Sequence, residues 1–352
     1  MSGVVCLMPE PAHAFDEREF RDLLEAYAPQ TPYVWSTMAG GASTRKYFRV
    51  AYENGRTAVA MFVPEGAKAE ELEKSRSSVR WPFLEVRDLL AEAGVRVPTV
   101  YLDKTDRGWL LLEDLGDDTL ANYLAREPAQ KTAIYKRAVA DLAAAQLCLS
   151  ALPSESVVCS RVFDRDLLLW EIQHFREWGL EARGIVLSAN DRETFDALAE
   201  RLAAKIASWP RGFVHRDYQS RNLMVNQGDI TWIDFQDALL GPRVYDLVAL
   251  LNDSYQVFDR EFVDARIAEF AFALSVDPNV LATEFDTVTV QRKLKDAGRF
   301  VFIDRVKNNS SFLQFVEPTI EKVFASLGRL ASADADMAEW ITLLNRVLKR
   351  NS

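Results

Sequence analysis

The sequence predicts an α+β fold, with a small lobe built on an antiparallel sheet followed by a larger, mainly helical lobe. Two observations carry this. Up to about residue 116, short strand-like runs are interleaved with helical patterns; beyond it, long stretches with apolar residues at helical spacing dominate. Only residues around 213–235 return to strand chemistry. The expected division is 1–115 for the sheet lobe and 116–352 for the helical lobe.

The elements follow in order. "DEREFRDLLEAYA" sets Phe20, Leu23, Leu24 and Tyr27 on one helical face. "YFRVAY" and "TAVAMFV" read as two strands joined at the turn signal Asn54-Gly55. A helix over "WPFLEVRDLLAEAG" ends at Gly94, a residue suited to the left-handed position that closes helices. "VPTVYLD" and "GWLLLEDLG" add two further strand-like runs. Then come "YKRAVADLAAAQLCLS", "RDLLLWEIQHFREWGL" and "DRETFDALAERLAAKIASW", all helical, as is nearly everything after Tyr245.

Bulk properties exclude several classes. An apolar fraction of 49% and a charged fraction of 27% over 352 residues describe an ordinary globular protein. A net charge of −10 argues against a broad nucleic-acid footprint and leaves room only for a local basic pocket. Cys6, Cys148 and Cys159 have no metal-type spacing and suit a reducing compartment, with Cys148 expected in the core of a helix. No apolar run approaches the roughly 18–20 residues that cross a bilayer, and the N-terminus lacks a signal-peptide pattern. The expectation is a cytoplasmic protein with no membrane contact and no obligate protein partner.

The chemistry concentrates in "FVHRDYQSRNLMV", residues 213–225. After Asn222 the chain reads "LMV", "NQGD", "ITWI" and then Asp234, an antiparallel hairpin with a glycine turn. Asn222 precedes its first strand and Asp234 follows its second, so both fall at one open end. Residues opposed across such a ladder stand roughly 4.5–5.5 Å apart. An amide oxygen and a carboxylate at that separation suit Mg²⁺, which takes its remaining oxygens from water or phosphate. Asp217 lies on the loop entering the same end, where a carboxylate orients an attacking hydroxyl. Any one of these residues alone is an ordinary turn former. Together, H-x-D-x₄-N with a strand-end Asp is the equipment of phosphoryl transfer.

"HRDYQSRN" followed by "IDFQD" resembles the catalytic loop and metal-binding segment of the protein-kinase-like fold. Gln236 stands where protein kinases have a glycine, and "GPRVYDLVALL" follows, which looks like the aminoglycoside phosphotransferase-like branch of small-molecule kinases. With "GGASTRKYFRV", "AGVRVPTVY" and "LLLEDLGDDTL", the chain is most similar to the bacterial anomeric N-acetylmuramate/N-acetylglucosamine kinases. The resemblance runs from about residue 36 to 256, with weaker similarity at "QRKLKDAGRF".

This resemblance implies a two-lobe kinase using ATP and Mg²⁺, with Asp217 as catalytic base and Asn222 and Asp234 as metal ligands. His215 and Asp246 become supports of the catalytic loop. Gly40, Gly41, Ser43 and Thr44 fall where a phosphate-binding loop is expected, and Glu113 and Leu115 where the backbone pairs with adenine. The strand lysine of protein kinases is missing, since Met61 or Phe62 occupies its neighbourhood. Arg45 and Lys46 are the nearest replacement cations, and Glu85 resembles the helix glutamate that would orient one. The expected activity is phosphorylation of the anomeric hydroxyl of an amino sugar in cell-wall recycling. The alternatives are an aminoglycoside, choline, homoserine or another small alcohol as acceptor, and a non-catalytic nucleotide-binding scaffold.

Overall fold

The computed structural model describes residues 15–38, 45–64, 80–226 and 228–349. Gly40, Gly41, Ser43 and Thr44 lie outside the described residues. The chain divides into two compact units, one of residues 1–77 with 97–116 and the other of residues 78–96 with 117–352.

The first unit opens with α1 (Glu17–Tyr27), which starts where the Asp16 carboxylate accepts the Arg18 N–H at 2.7 Å. β1 (Tyr33–Thr37), β2 (Lys46–Tyr52), β3 (Thr57–Phe62), β4 (Val100–Lys104) and β5 (Trp109–Glu113) form one antiparallel sheet in the order β1-β2-β3-β5-β4. The alternation of β2 buries Phe48, Val50 and Tyr52 on one face. Ala60 and Ala58, opposite Phe48 and Val50, then Phe62 on the same face of β3 and Trp109 and Leu111 of β5 continue that face, and Phe20, Leu23 and Leu24 of α1 cover it. Burying each large side chain contributes about 1.5–3 kcal/mol. Gly55 takes φ +82° in the β2–β3 turn, the conformation the Asn-Gly pair predicts.

The second unit begins with α2 (Pro82–Glu92), closed by Gly94 at φ +81°. The division at residue 115 assigns this helix to the sheet lobe, but it packs in the helical unit. Phe83 lies against Phe235, and the Arg96 carbonyl accepts the Trp232 N–H at 2.9 Å. α3 (Leu120–Arg126), α4 (Lys131–Cys148), α5 (Arg165–His174) with a π-turn at Phe175–Leu180, and α6 (Ala189–Ala207) follow. β6 (Arg211–Val214) pairs with β9 (Leu239–Pro242), and β7 (Leu223–Asn226) pairs with β8 (Asp229–Trp232), both antiparallel. α7 (Tyr245–Leu251), α8 (Arg260–Ala273), α9 (Pro278–Lys307), α10 (Val316–Leu330) and α11 (Ala335–Val347) complete it.

The 30-residue α9 is the axis of this unit and packs against α5, its π-turn, α7, α8 and α10. Cys148 ends α4 in solvent instead of entering the core, because its position falls on the outer side of the last turn. No helix among the described residues is long and apolar enough to cross a membrane.

Candidate active site

The loop between β6 and β7 is held from below by a carboxylate. Asp246, wholly buried at the start of α7, accepts the His215 N–H on Oδ2 at 2.6 Å and the Arg216 N–H on Oδ1 at 2.9 Å. Burial raises its carboxyl to about 7 against the pull of those two donors. The His215 ring is fixed by its neighbours. Nδ1 accepts the Asp217 N–H at 3.3 Å, so the proton sits on Nε2 and is donated to the Ile233 carbonyl at 3.1 Å. Burial lowers His215 to about 4, which keeps the ring neutral. Arg216 adopts φ +81°, a costly conformation for a residue with a side chain, and it turns the chain so that Asp217 leaves the core.

The Asp217 side chain is 40% exposed, whereas Arg292 of α9, 2% exposed, brings Nη2 to 3.4 Å from its Oδ1. Arg292 also donates to the Arg216 carbonyl at 2.8 Å and lies 4.7 Å from the Tyr245 ring centre. Burial pushes the Asp217 carboxyl up, but Lys295, Arg292 and Arg216 outweigh it and hold the group below the ordinary carboxylate value. Asp217 is therefore an ionised, accessible acceptor at neutral pH, shaped to orient a hydroxyl more than to remove its proton outright.

The hairpin brings the remaining two residues together. Leu223 pairs with Trp232, and the ladder extends one step further through the Ile233 N–H on the Asn222 carbonyl at 3.0 Å. Asp234 follows at φ +63°. The Asn222 amide donates to the Asp217 carbonyl at 2.9 Å and stands 3.5 Å from Asp234 Oδ2. Gln236, in the position of the protein-kinase glycine, donates to Asp234 Oδ1 at 2.8 Å. Asp217, Asn222 and Asp234 thus form one cluster within the second unit. No group of three or more His, Cys, Asp or Glu among the described residues could enclose a metal. One carboxylate and one amide fit Mg²⁺, which relies on phosphate and water for its other ligands.

The nucleotide-side residues belong to the first unit. Lys46 opens β2 opposite Phe62, so its register puts it on the face covered by α1. Met61 faces the other way, and the cation sharing its face on β2 is Arg49, opposite Val59. Arg49 pairs with Asp114 at 3.1 Å and donates to the Gly116 carbonyl at 2.9 Å. Arg45 precedes β2, half-buried. The Glu113 N–H is donated to the Thr99 carbonyl and its carboxylate accepts the Thr99 N–H at 3.0 Å, and Leu115 is half-buried beyond β5. Glu85 is engaged elsewhere, accepting the Val157 N–H at 2.6 Å.

Sequence reasoning missed Arg49, Asp253 and the charged run of α9. The signals were present: Arg49 alternates with the apolar residues of "KYFRVAY", and "QRKLKDAGR" sets Arg292 and Lys293 within a turn of Asp296. Lys293 donates to Asp296 at 2.8 Å, and Lys295 lies 3.5 Å from the same carboxylate.

Residues 34–279 match the phosphotransferase enzyme family. The N-acetylmuramate/N-acetylglucosamine kinase of Neisseria meningitidis serogroup B is 30% identical over 336 residues, 93% of this chain and 94% of its own. The kinase of the same name from Pseudomonas aeruginosa is 32% identical over 273 residues, 74% of each chain. Among solved structures, choline kinase from Cryptosporidium parvum Iowa II superposes with a TM-score of 0.60 at 14% identity, covering 90% of this chain and 97% of its own. ADP-bound aminoglycoside phosphotransferase APH(2'')-Ib gives 0.57 at 15% identity, covering 88% and 98%. These two show a shared protein-kinase-like fold. The chain belongs to the phosphotransferase enzyme family and is an ATP-dependent phosphotransferase with an alcohol group as acceptor.

Proposed function

We propose that this protein is a sugar kinase that transfers the γ-phosphoryl group of ATP to the anomeric hydroxyl of N-acetylmuramate, N-acetylglucosamine or both. The observation that carries this reading is the 30% identity to an N-acetylmuramate/N-acetylglucosamine kinase over 93% of the chain. It extends well beyond the catalytic motif shared by the wider fold. The location of the protein is then the cytoplasm, where ATP is available.

In the proposed reaction Asp217 accepts a hydrogen bond from the anomeric hydroxyl and aims its oxygen at the γ-phosphorus. The O–P bond forms as the bond to the β,γ-bridging oxygen breaks. ADP leaves, and the hydroxyl proton passes to Asp217 and then to solvent. The low proton affinity of Asp217 keeps it ionised until transfer is under way, while Arg292 holds it in place. Asn222 and Asp234 would hold Mg²⁺, which supplies charge neutralisation at the phosphates. On the first unit, backbone groups near Glu113 and Leu115 would receive the adenine. Gly40, Gly41, Ser43 and Thr44, with Arg45 and Lys46, would serve the phosphates.

Phosphorus NMR of reactions with Mg-ATP and each sugar tests acceptor and position together. A sugar 1-phosphate resonance coupled to the anomeric proton is expected. A 6-phosphate, or ADP formation only with choline or an aminoglycoside, sinks the reading. D217N should lose about 10²–10⁴-fold in kcat, and near wild-type turnover would remove Asp217 from its role.

A further inference from the structure

Arg221 stands immediately before Asn222, exposed, on the catalytic loop. Its guanidinium carbon lies 3.5 Å from the ring centre of Tyr255 and 5.7 Å from that of Phe312. Phe315 meets Tyr255 edge-on at 4.9 Å, and Phe300 stacks on Phe312 at 5.9 Å, so the wall beneath the guanidinium is itself packed. The loop and the wall are tied by one buried carboxylate. Asp253 accepts the Ser220 N–H on Oδ2 and the Tyr255 N–H on Oδ1, each at 2.9 Å. Lys322 of α10 donates to the carbonyls of Asn252, Asp253 and Gln256 and fixes the same segment.

Among the described residues, Arg221 has no hydrogen bond and no ion pair. A guanidinium held over a ring with no other partner keeps N–H groups of its fork open, and that fork matches a planar carboxylate. Arg221 lies between Ser220, which Asp253 ties to Tyr255, and Asn222, which donates to the Asp217 carbonyl, so the fork belongs to the same short loop as Asp217. Arg292, Lys293 and Lys295 of α9 are already engaged with Asp217 or Asp296, whereas the Arg221 fork on the catalytic loop is open to an anionic acceptor.

We propose that Arg221, held over Tyr255, binds the carboxylate of an acidic sugar acceptor and sets the preference for acidic over neutral amino sugars. This rests on the sugar-kinase reading above. The test measures KM for N-acetylmuramate, which carries a lactyl carboxylate, for N-acetylglucosamine, which does not, and for ATP, in wild type, Arg221→Gln and Arg221→Lys. A charge-assisted hydrogen bond corresponds to a change of about tenfold to a hundredfold. That rise is expected in R221Q for N-acetylmuramate, against less than about threefold for the neutral sugar and for ATP. R221K should recover part of it, because it restores charge without the fork. Equal losses on both sugars, or a matching rise in the KM for ATP, overturn the assignment. Wild-type turnover of the neutral sugar alone overturns it too and leaves the sugar-kinase reading standing, whereas turnover of neither sugar overturns both.

Discussion

Asp246 shows how one residue ties the catalytic loop to the core. Both of its oxygens are occupied by backbone donors, and its burial raises the carboxyl to about 7. Protonation would replace an acceptor with a donor and release one of the two N–H groups beneath Asp217. Turnover should therefore fall as pH drops below about 7. Stability moves the other way. The unfolded carboxyl titrates near 3.8, so between there and about 7 the folded state holds more protons than the unfolded one. The Asp246 contribution to stability accordingly grows on acidification and is lost as pH rises through 7. Asp246→Asn cannot titrate and leaves one donor poorly served, at a cost of about 1–3 kcal/mol. Its kcat/KM should be lower than wild type and flat where wild type shows the acidic limb. The Tm difference between the two should shift in favour of wild type from pH 8 to pH 5. An unchanged acidic limb in D246N would assign the titration to another group.

At the level of elements, α9 delivers Arg292, Lys293 and Asp296, and a single glycine sets its depth. A Cβ on Gly298 would meet the His174 carbonyl oxygen at 2.7 Å and Phe175 Cα at 2.9 Å, both backbone atoms of the α5 end and its π-turn. Gly298→Ala should destabilise by about 1–3 kcal/mol through overpacking and lower kcat by shifting Arg292 from Asp217. Gly328 on α10 has nothing within 4 Å of such a Cβ, so G328A is the control. It should be neutral or up to about 1 kcal/mol more stable. Thermal melts of both variants decide this, and equal melting temperatures would dismiss the close-approach argument. The same element marks where sequence reading stops. β2, β3, β7 and β8 were legible because alternation or a glycine turn is local. β1 was not, since four of its five residues are exposed at the sheet edge and carry no apolar alternation. β9 is hidden by the Gly-Pro that ends it. Asp217, Asn222 and Asp234 could be named because they lie within 18 residues of one another. Arg292 reaches Asp217 across 75 residues and Asp253 reaches Ser220 across 33, distances at which single-sequence periodicity says nothing.

Across the whole molecule, nucleotide binding should be coupled to folding, with the metal as the proposed link. The sheet of the first unit is discontinuous in sequence, because β4 and β5 return to it after α2 has joined the second unit. The first unit is complete only after the chain has crossed between them twice, and the second only after a third crossing. A ligand that binds only the folded chain therefore stabilises a structure that no short segment can form alone. At a concentration a hundredfold above its Kd, such a ligand contributes about 2.7 kcal/mol. For chains of this size that corresponds to several degrees in Tm. Mg-ATP should produce that rise with the full-length protein, and ATP with a chelator should produce much less. Asp234→Asn removes the carboxylate that would hold the metal, so it should lose most of the Mg²⁺-dependent part of the rise along with turnover. Asp217→Asn removes only the group aimed at the acceptor, so it should lose turnover and keep the rise. A thermal shift retained in full by D234N would place the metal on other ligands, and its loss in D217N would make Asp217 part of the nucleotide site. The pair of variants thus separates the carboxylate proposed to hold the donor from the one proposed to present the acceptor, although both sit at one end of a single hairpin.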